Sequence, residues 1–155
     1  PQRLLALVDA GASRSLVRTS TLDLLRHRGL EVELVEKERV LGYADSSTGR
    51  STHECRLRFA CMDGTVAAAR CEETAVVAQH LAFDMILGLS FLKRCVHLAD
   101  FQGLWLTMKT EPTADGSVRA GPRVPMRAED LLLREDTPLL LVAAEDVLAP
   151  RETSV

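Results

Sequence analysis

Residues 4–8, Leu-Leu-Ala-Leu-Val, form an unbroken apolar run that stops at Asp9 and gives way to Ala10, Gly11, Ala12 and Ser13. Five apolar residues bounded by an acidic residue and a glycine suit a short strand buried on both faces. The small residues behind Asp9 then read as the turn that leaves it. On residues 4–17 alone, Asp9 is most economically an N-cap or Asx-turn residue whose carboxylate satisfies backbone N–H groups.

The rest of the chain to residue 109 reads as more strands of this length. Residues 18–29 carry Thr19 and Ser20 as N-cap candidates, Leu22, Leu24 and Leu25 on one side, basic residues in the last turn and Gly29 as a stop, which predicts a helix of two to three turns. Leu30, Val32 and Leu34 alternate with glutamates, the period of a half-buried strand. Residues 43–52, rich in Ser, Thr, Asp and Gly, read as the long polar tip of a β-hairpin between strand-like flanks. A tight turn at Met62, Asp63 and Gly64 leads into two further strand candidates, residues 65–71 and 74–80. Residues 83–94, "FDMILGLSFLKR", start as an apolar strand, break at Gly88 and continue as a short helix ending in Lys93 and Arg94, where cations suit the dipole. Residues 95–108 close the series as a hairpin around Gln102 and Gly103. About seven strands and two short helices predict an all-β, mainly β, domain over residues 1–109.

Composition sets limits on function. The net charge is −3 and the 19 Lys and Arg are scattered rather than gathered into a stripe, so nothing argues for nucleic-acid binding by this domain. No apolar run approaches the roughly 18 residues that span a bilayer, and no segment has the make-up of a signal peptide, which predicts a cytoplasmic protein without a membrane partner. Cys55, Cys61, Cys71 and Cys95 form no CxxC pair, and His27, His53, His80 and His97 fall in different elements, so neither a metal nor any other cofactor is expected. The cysteines read as reduced, mostly buried thiols and the histidines as surface or turn residues. Residues 110–125 concentrate Pro, Gly and Ser and read as a linker; residues 126–155 read as an acidic tail, partly ordered or disordered.

The role of Asp9 changes when the first motif is set beside the second. Residues 6–17, "ALVDAGASRSLV", and residues 83–94 together resemble the retropepsin-like aspartic proteases, especially those of gypsy-type long-terminal-repeat retrotransposons. In that family a first strand ends in Asp-Ser/Thr-Gly-Ala and a later one reads approximately Asp-Val-Ile-Leu-Gly-Met-Asp-Trp-Leu. The resemblance runs over most of residues 4–108, with residues 40–59 in the place of the flap hairpin.

What it implies is an acid-protease barrel with a flap hairpin and one or two short helices. It also implies an aspartic endopeptidase that processes the polyprotein of a retroelement, with a peptide or polyprotein as substrate. Asp9 would be the catalytic residue and Ala10, Gly11 and Ala12 the active-site turn. Tyr43, Ala44, Asp45 and Ser46 would cover the substrate, and Asp84, Ile86, Leu87 and Gly88 would form the structural motif behind the turn. In such enzymes two close carboxylates activate a water, and because like charges that near cannot both ionise, one serves as acid and the other as base, the established pattern of aspartic proteases. This chain has one such motif, so the resemblance implies a homodimer in which Asp9 meets its counterpart across a two-fold axis. Asp45, Asp63 and Asp100 read as turn or flap residues, and Leu87, Leu89 and Trp105 as core.

The chain departs from the family pattern in three places. Ala10 replaces the usual Ser or Thr and removes the hydroxyl that braces the two active-site turns against each other. Only eight residues precede Asp9, so the upstream hairpin is expected to be truncated. Ser90 stands where Asp is common, a change expected to alter a helix cap. A catalytically silent dimerisation or peptide-binding module with the same fold is the alternative that Ala10 favours, and an unrelated small β-barrel binding protein would share the composition but not the paired motifs.

Overall fold

The computed structural model describes residues 2–30, 32–42, 48–110, 114–117, 120–131 and 134–145. Strand β1 (Gln2–Val8) is followed by β2 (Ser15–Arg18), helix α1 (Thr19–His27), β3 (Glu33–Gly42), β4 (Thr48–Asp63), β5 (Val66–Ala78), β6 (Met85–Leu87), helix α2 (Leu89–Cys95), β7 (Val96–Asp100), β8 (Trp105–Lys109), β9 (Ala120–Pro125), β10 (Arg127–Leu131) and β11 (Arg134–Glu145). The chain is mainly β with two short helices, as its short apolar runs imply.

Six strands close on themselves. The order β11-β1-β6-β2-β5-β4 returns to its start because β4 also pairs with β11, while β10 and β3 flank the ring and β7-β8-β9 make a separate three-stranded sheet. Closure removes two exposed edges that a sheet of these strands would otherwise present. Within the ring, β6 inserts between β1 and β2, parallel to the first and antiparallel to the second, although those two strands follow one another in sequence. That insertion brings the two motifs together.

One apolar core serves both sheets. Leu4, Ala6 and Val8 of β1, Leu22 and Leu25 of α1, Phe59 of β4, Leu87 of β6 and Phe91 of α2 pack with Leu106 and Met108 of β8, Val124 of β9 and Leu140 and Val142 of β11. The rings of Phe59 and Phe91 lie tilted with centroids 6.0 Å apart, within the range of favourable aromatic contacts. On β1, Leu5 and Leu7 are only partly buried. The strand thus alternates between the barrel interior and a thinner outer cover, where the unbroken run suggested two equally buried faces.

Within the expected linker and tail, Ala120–Pro125, Arg127–Leu131 and Arg134–Glu145 are strands of the fold. β9 pairs with β8 within residues 110–125, and β11 pairs with β1 from Gln2↔Ala144 to Leu7↔Leu139, with Leu139, Leu140 and Val142 wholly buried. The apolar run of β11 has no partner nearby in sequence, but β1 and β4 supply two. Pro122 and Pro125, read as linker signals, lie on β9 at the edge of its sheet, where a residue without an N–H is tolerated.

Other boundaries move for equally local reasons. Residues 48–52 belong to β4 rather than to a hairpin tip, since Gly42 pairs with Thr48 and Ser51 is buried with its hydroxyl donating to the His53 carbonyl at 3.0 Å. α1 starts at Thr19 with Arg18 in the cap position and no side-chain cap. The Thr19 hydroxyl donates to the Ala78 carbonyl (3.3 Å) and that of Thr21 to the Asp84 carbonyl (2.9 Å), so these groups tie the helix to neighbouring segments instead. Gly29 ends the helix region at φ +84°, a conformation that favours glycine. Among the described residues, no helix is long and apolar enough to cross a membrane.

Residues 66–78 form one strand, not two. The intervening Glu72 and Glu73 read locally as a break, yet both are satisfied in place. Glu72 pairs with Arg56 and, at 3.2 Å, with Arg58 across the β4–β5 ladder, and hydrogen bonding from Arg56 holds its carboxyl below the usual range. Glu73 points inward.

All four cysteines are free thiols; Cys55 and Cys61 are buried, while Cys71 and Cys95 are partly exposed. The sulfurs of Cys61 and Cys71 are 3.8 Å apart. Burial pushes the Cys55 thiol from 9.0 up to about 12. A raised folded-state value stabilises the fold below the unfolded-chain value, and that contribution is lost as pH climbs through the folded one. Denaturant unfolding under reducing conditions is therefore expected to show Cys55 lowering stability by up to about 1.4 kcal/mol per pH unit above pH 9. The slope should be shallower in Cys55→Ala; equal slopes in parent and variant would refute the assignment.

Candidate active site

Asp9 sits at the end of β1, where the strand runs alongside β6 in the register Ala6↔Met85, Leu7↔Ile86, Val8↔Leu87. Its N–H continues the ladder by donating to the Leu87 carbonyl at 3.0 Å. The chain then turns: Gly11 N–H donates to Asp9 Oδ1 (2.9 Å) and Ala12 N–H to the Asp9 carbonyl (3.2 Å). The Asx-turn expected of Asp9 is therefore present, and it engages one carboxylate oxygen only. Among the described residues nothing reaches Oδ2. A Cβ at Gly11 would lie 3.1 Å from Oδ1, tighter than most such contacts, which accounts for glycine beside the carboxylate. Asp9 is half-buried, while Ala10 and Gly11 are exposed at the tip of the turn.

The second motif holds this turn from behind. Leu89 N–H donates to the Ala12 carbonyl (2.7 Å) and Ser90 N–H to the Ser13 carbonyl (3.3 Å), so the first residues of α2 satisfy amides that no turn of their own helix can serve. The approach is close at Gly88: a Cβ there would meet the backbone oxygens of Arg14 at 2.5 Å and Ala12 at 2.6 Å. Ile86 lies in β6 beside Leu7 and Leu16, and Leu87 is wholly buried. Asp84, the other carboxylate of the motif, faces elsewhere: it accepts the Leu5 N–H at 3.0 Å and the Arg18 guanidinium at 2.8 Å, tying β1 to β2.

Two acidic side chains that sequence reading passed over border the site. Glu54, nearly buried on β4, binds Arg39 of β3 at 3.1 Å and lies 3.9 Å from Arg14, just beyond the Asp9 turn, so an ion pair links the base of the β3–β4 hairpin to the turn. Glu73, 1 % exposed on β5, accepts the hydroxyl protons of Ser15 (2.6 Å) and Ser90 (2.8 Å) on one oxygen and the Arg94 guanidinium on the other. Ser15 Oγ in turn accepts the Gly88 N–H at 3.0 Å. Ser90 thus reaches a buried carboxylate instead of capping a helix, and Arg94 pairs with it instead of lying along the dipole. Neither glutamate stands out in sequence: Glu54 follows the polar stretch Arg50 to His53, and Glu73 sits beside Glu72.

Tyr43, Ala44, Asp45 and Ser46 lie outside the described residues; β3 and β4, on either side of them in sequence, are paired from Glu33↔Arg56 to Gly42↔Thr48. Asp100 accepts the N–H groups of Gln102 (3.1 Å) and Gly103 (2.8 Å), a turn role, and Asp63 is the exposed last residue of β4. Leu89 and Trp105 are partly buried, the latter under the Arg123 guanidinium at 4.4 Å. Among the described residues no group of three or more His, Cys, Asp or Glu side chains is arranged to hold a metal. No family model matches the chain, and no curated protein or solved structure matches it at a significant level.

Proposed function

We propose that this chain is a retropepsin-like aspartic endopeptidase that works as a pair of copies, each contributing Asp9, on a peptide or polyprotein substrate such as that of a retroelement. The observation that carries the reading is the junction of the two motifs. Asp9 hangs from β6 through Leu87, its turn is clamped by the start of α2 at Gly88, and among the described residues nothing bonds its second oxygen, beside the exposed tip of Ala10 and Gly11. An Asx-turn alone needs none of the second motif.

The chemistry follows from the arrangement. One chain offers a single carboxylate, so acid and base functions at one water require a second copy facing the exposed tip of the turn. The β3–β4 hairpin, tied to the turn through Glu54, would close over the peptide and exclude bulk water. Incubating the chain with unstructured protein substrates, with and without a statine-type inhibitor, tests the reading: cleavage that the inhibitor stops supports it, and inhibitor-insensitive cleavage overturns it.

The silent-module alternative draws on Ala10, which has no hydroxyl to offer the partner turn. Restoring one would add a hydrogen bond per copy, each worth about 0.5 to 1.5 kcal/mol, or about one to two orders of magnitude in dimer affinity for the pair. Ala10→Ser is therefore expected to raise inhibitor-sensitive cleavage most at low protein concentration, with less gain where the parent is already paired. Absence of cleavage by parent and Ala10→Ser at every concentration would instead favour the silent module.

A further inference from the structure

We propose that Glu73 is a positioning residue for Asp9, holding the active-site turn and the β6–α2 junction in register through Ser15 and Ser90. The direction of the hydrogen bonds makes the case. Ser15 has one proton, and because its Oγ accepts from Gly88 N–H at 3.0 Å and lies 2.6 Å from Glu73, that proton goes to the carboxylate. Ser90 donates to the same oxygen from the first turn of α2, and Arg94 neutralises the other from its last. Glu73 is thus the common acceptor for the segment that follows the Asp9 turn and for the helix that clamps it. The same two segments also meet through backbone bonds at Ala12 and Ser13 and through the Gly88 N–H to Ser15 Oγ.

An ion pair whose carboxylate is buried and whose guanidinium, that of Arg94, stays exposed is a poor way to gain stability, since taking Glu73 out of water offsets much of the attraction. What this one supplies is geometry: an apolar side chain of similar size would fill the space but leave two hydroxyls and a guanidinium without their acceptor. Glu73 acts inside each copy, independently of the hydroxyl that Ala10 lacks between copies.

The test combines amide hydrogen exchange with cleavage kinetics on the full chain, for parent and Glu73→Gln, with Ser90→Ala as a second variant should the first fail to fold. The glutamine amide cannot accept from both hydroxyls and the guanidinium at once. Exchange at Leu89 and Ser90 is expected to accelerate about tenfold or more while Leu106 and Met108, in the β7–β8 hairpin, keep their protection. The kinetic arm, which rests on the peptidase reading, is expected to show a lower kcat with KM little changed. Uniform acceleration at all four amides would make Glu73 merely structural and overturn the proposal, as would unchanged exchange at Leu89 and Ser90. A parent that cleaves nothing defeats the peptidase reading and leaves the exchange result to decide the role of Glu73.

Discussion

Asp9→Asn is expected to lower peptide cleavage by about a hundredfold to ten-thousandfold, the range in which positioned acid and base groups contribute, while leaving the thermal transition close to that of the parent. Asparagine retains the one side-chain hydrogen bond that Asp9 makes among the described residues. Its side-chain oxygen accepts the Gly11 N–H as Oδ1 does, so the turn persists. What disappears is the ionisable oxygen that the turn leaves unused. Cleavage assays with a fluorogenic peptide, alongside a melting curve, separate the two effects; an Asn variant that cleaves at the parental rate would remove Asp9 from the chemistry.

The second large effect belongs to a residue that does no chemistry. Gly88→Ala is expected to cost about 3 kcal/mol or more, and to lower the melting temperature by roughly 6 to 12 °C. The added methyl would sit against two backbone oxygens, those of Ala12 and Arg14, and the first cannot withdraw without breaking its bond from the Leu89 N–H, part of the clamp on the Asp9 turn. Gly42→Ala on β3 is the control, since among the described residues no atom beyond its chain neighbours lies within 4 Å of its Cβ position and its φ is not positive. Similar melting of the two variants would contradict the close approach at the junction.

The parts of this fold that were legible in sequence are those whose signals are local. A five-residue apolar run ending at Asp9, a glycine ending α1, the strand-to-helix change at Gly88 and the hairpin at Gln102 all depend on neighbours a few positions away. The third sheet strand and the closing strand do not. β9 looks like a linker because its prolines are read without the edge they occupy, and β11 looks like a stray apolar run because its partners, β1 and β4, lie far back in the chain. The same holds at the site. Asp9 announced itself through the small residues behind it and Gly88 through the break it makes in an apolar strand, whereas Glu73 carries no local sign that Ser15, Ser90 and Arg94 will converge on it from two other elements. Glu72 and Glu73 together suggested a strand break for the same reason: their partners were invisible until the barrel closed.

The proposed peptidase builds one site from two copies of this chain. This is tested most directly by adding increasing amounts of the Asp9→Asn chain to a fixed, low concentration of parent and following peptide cleavage. Mixed pairs have one ionisable carboxylate where two are needed, so activity is expected to fall progressively as the variant captures parental chains. Cleavage that holds steady at a large excess of variant, under conditions where the two chains exchange partners, would mean that Asp9 works within a single chain and would contradict the account.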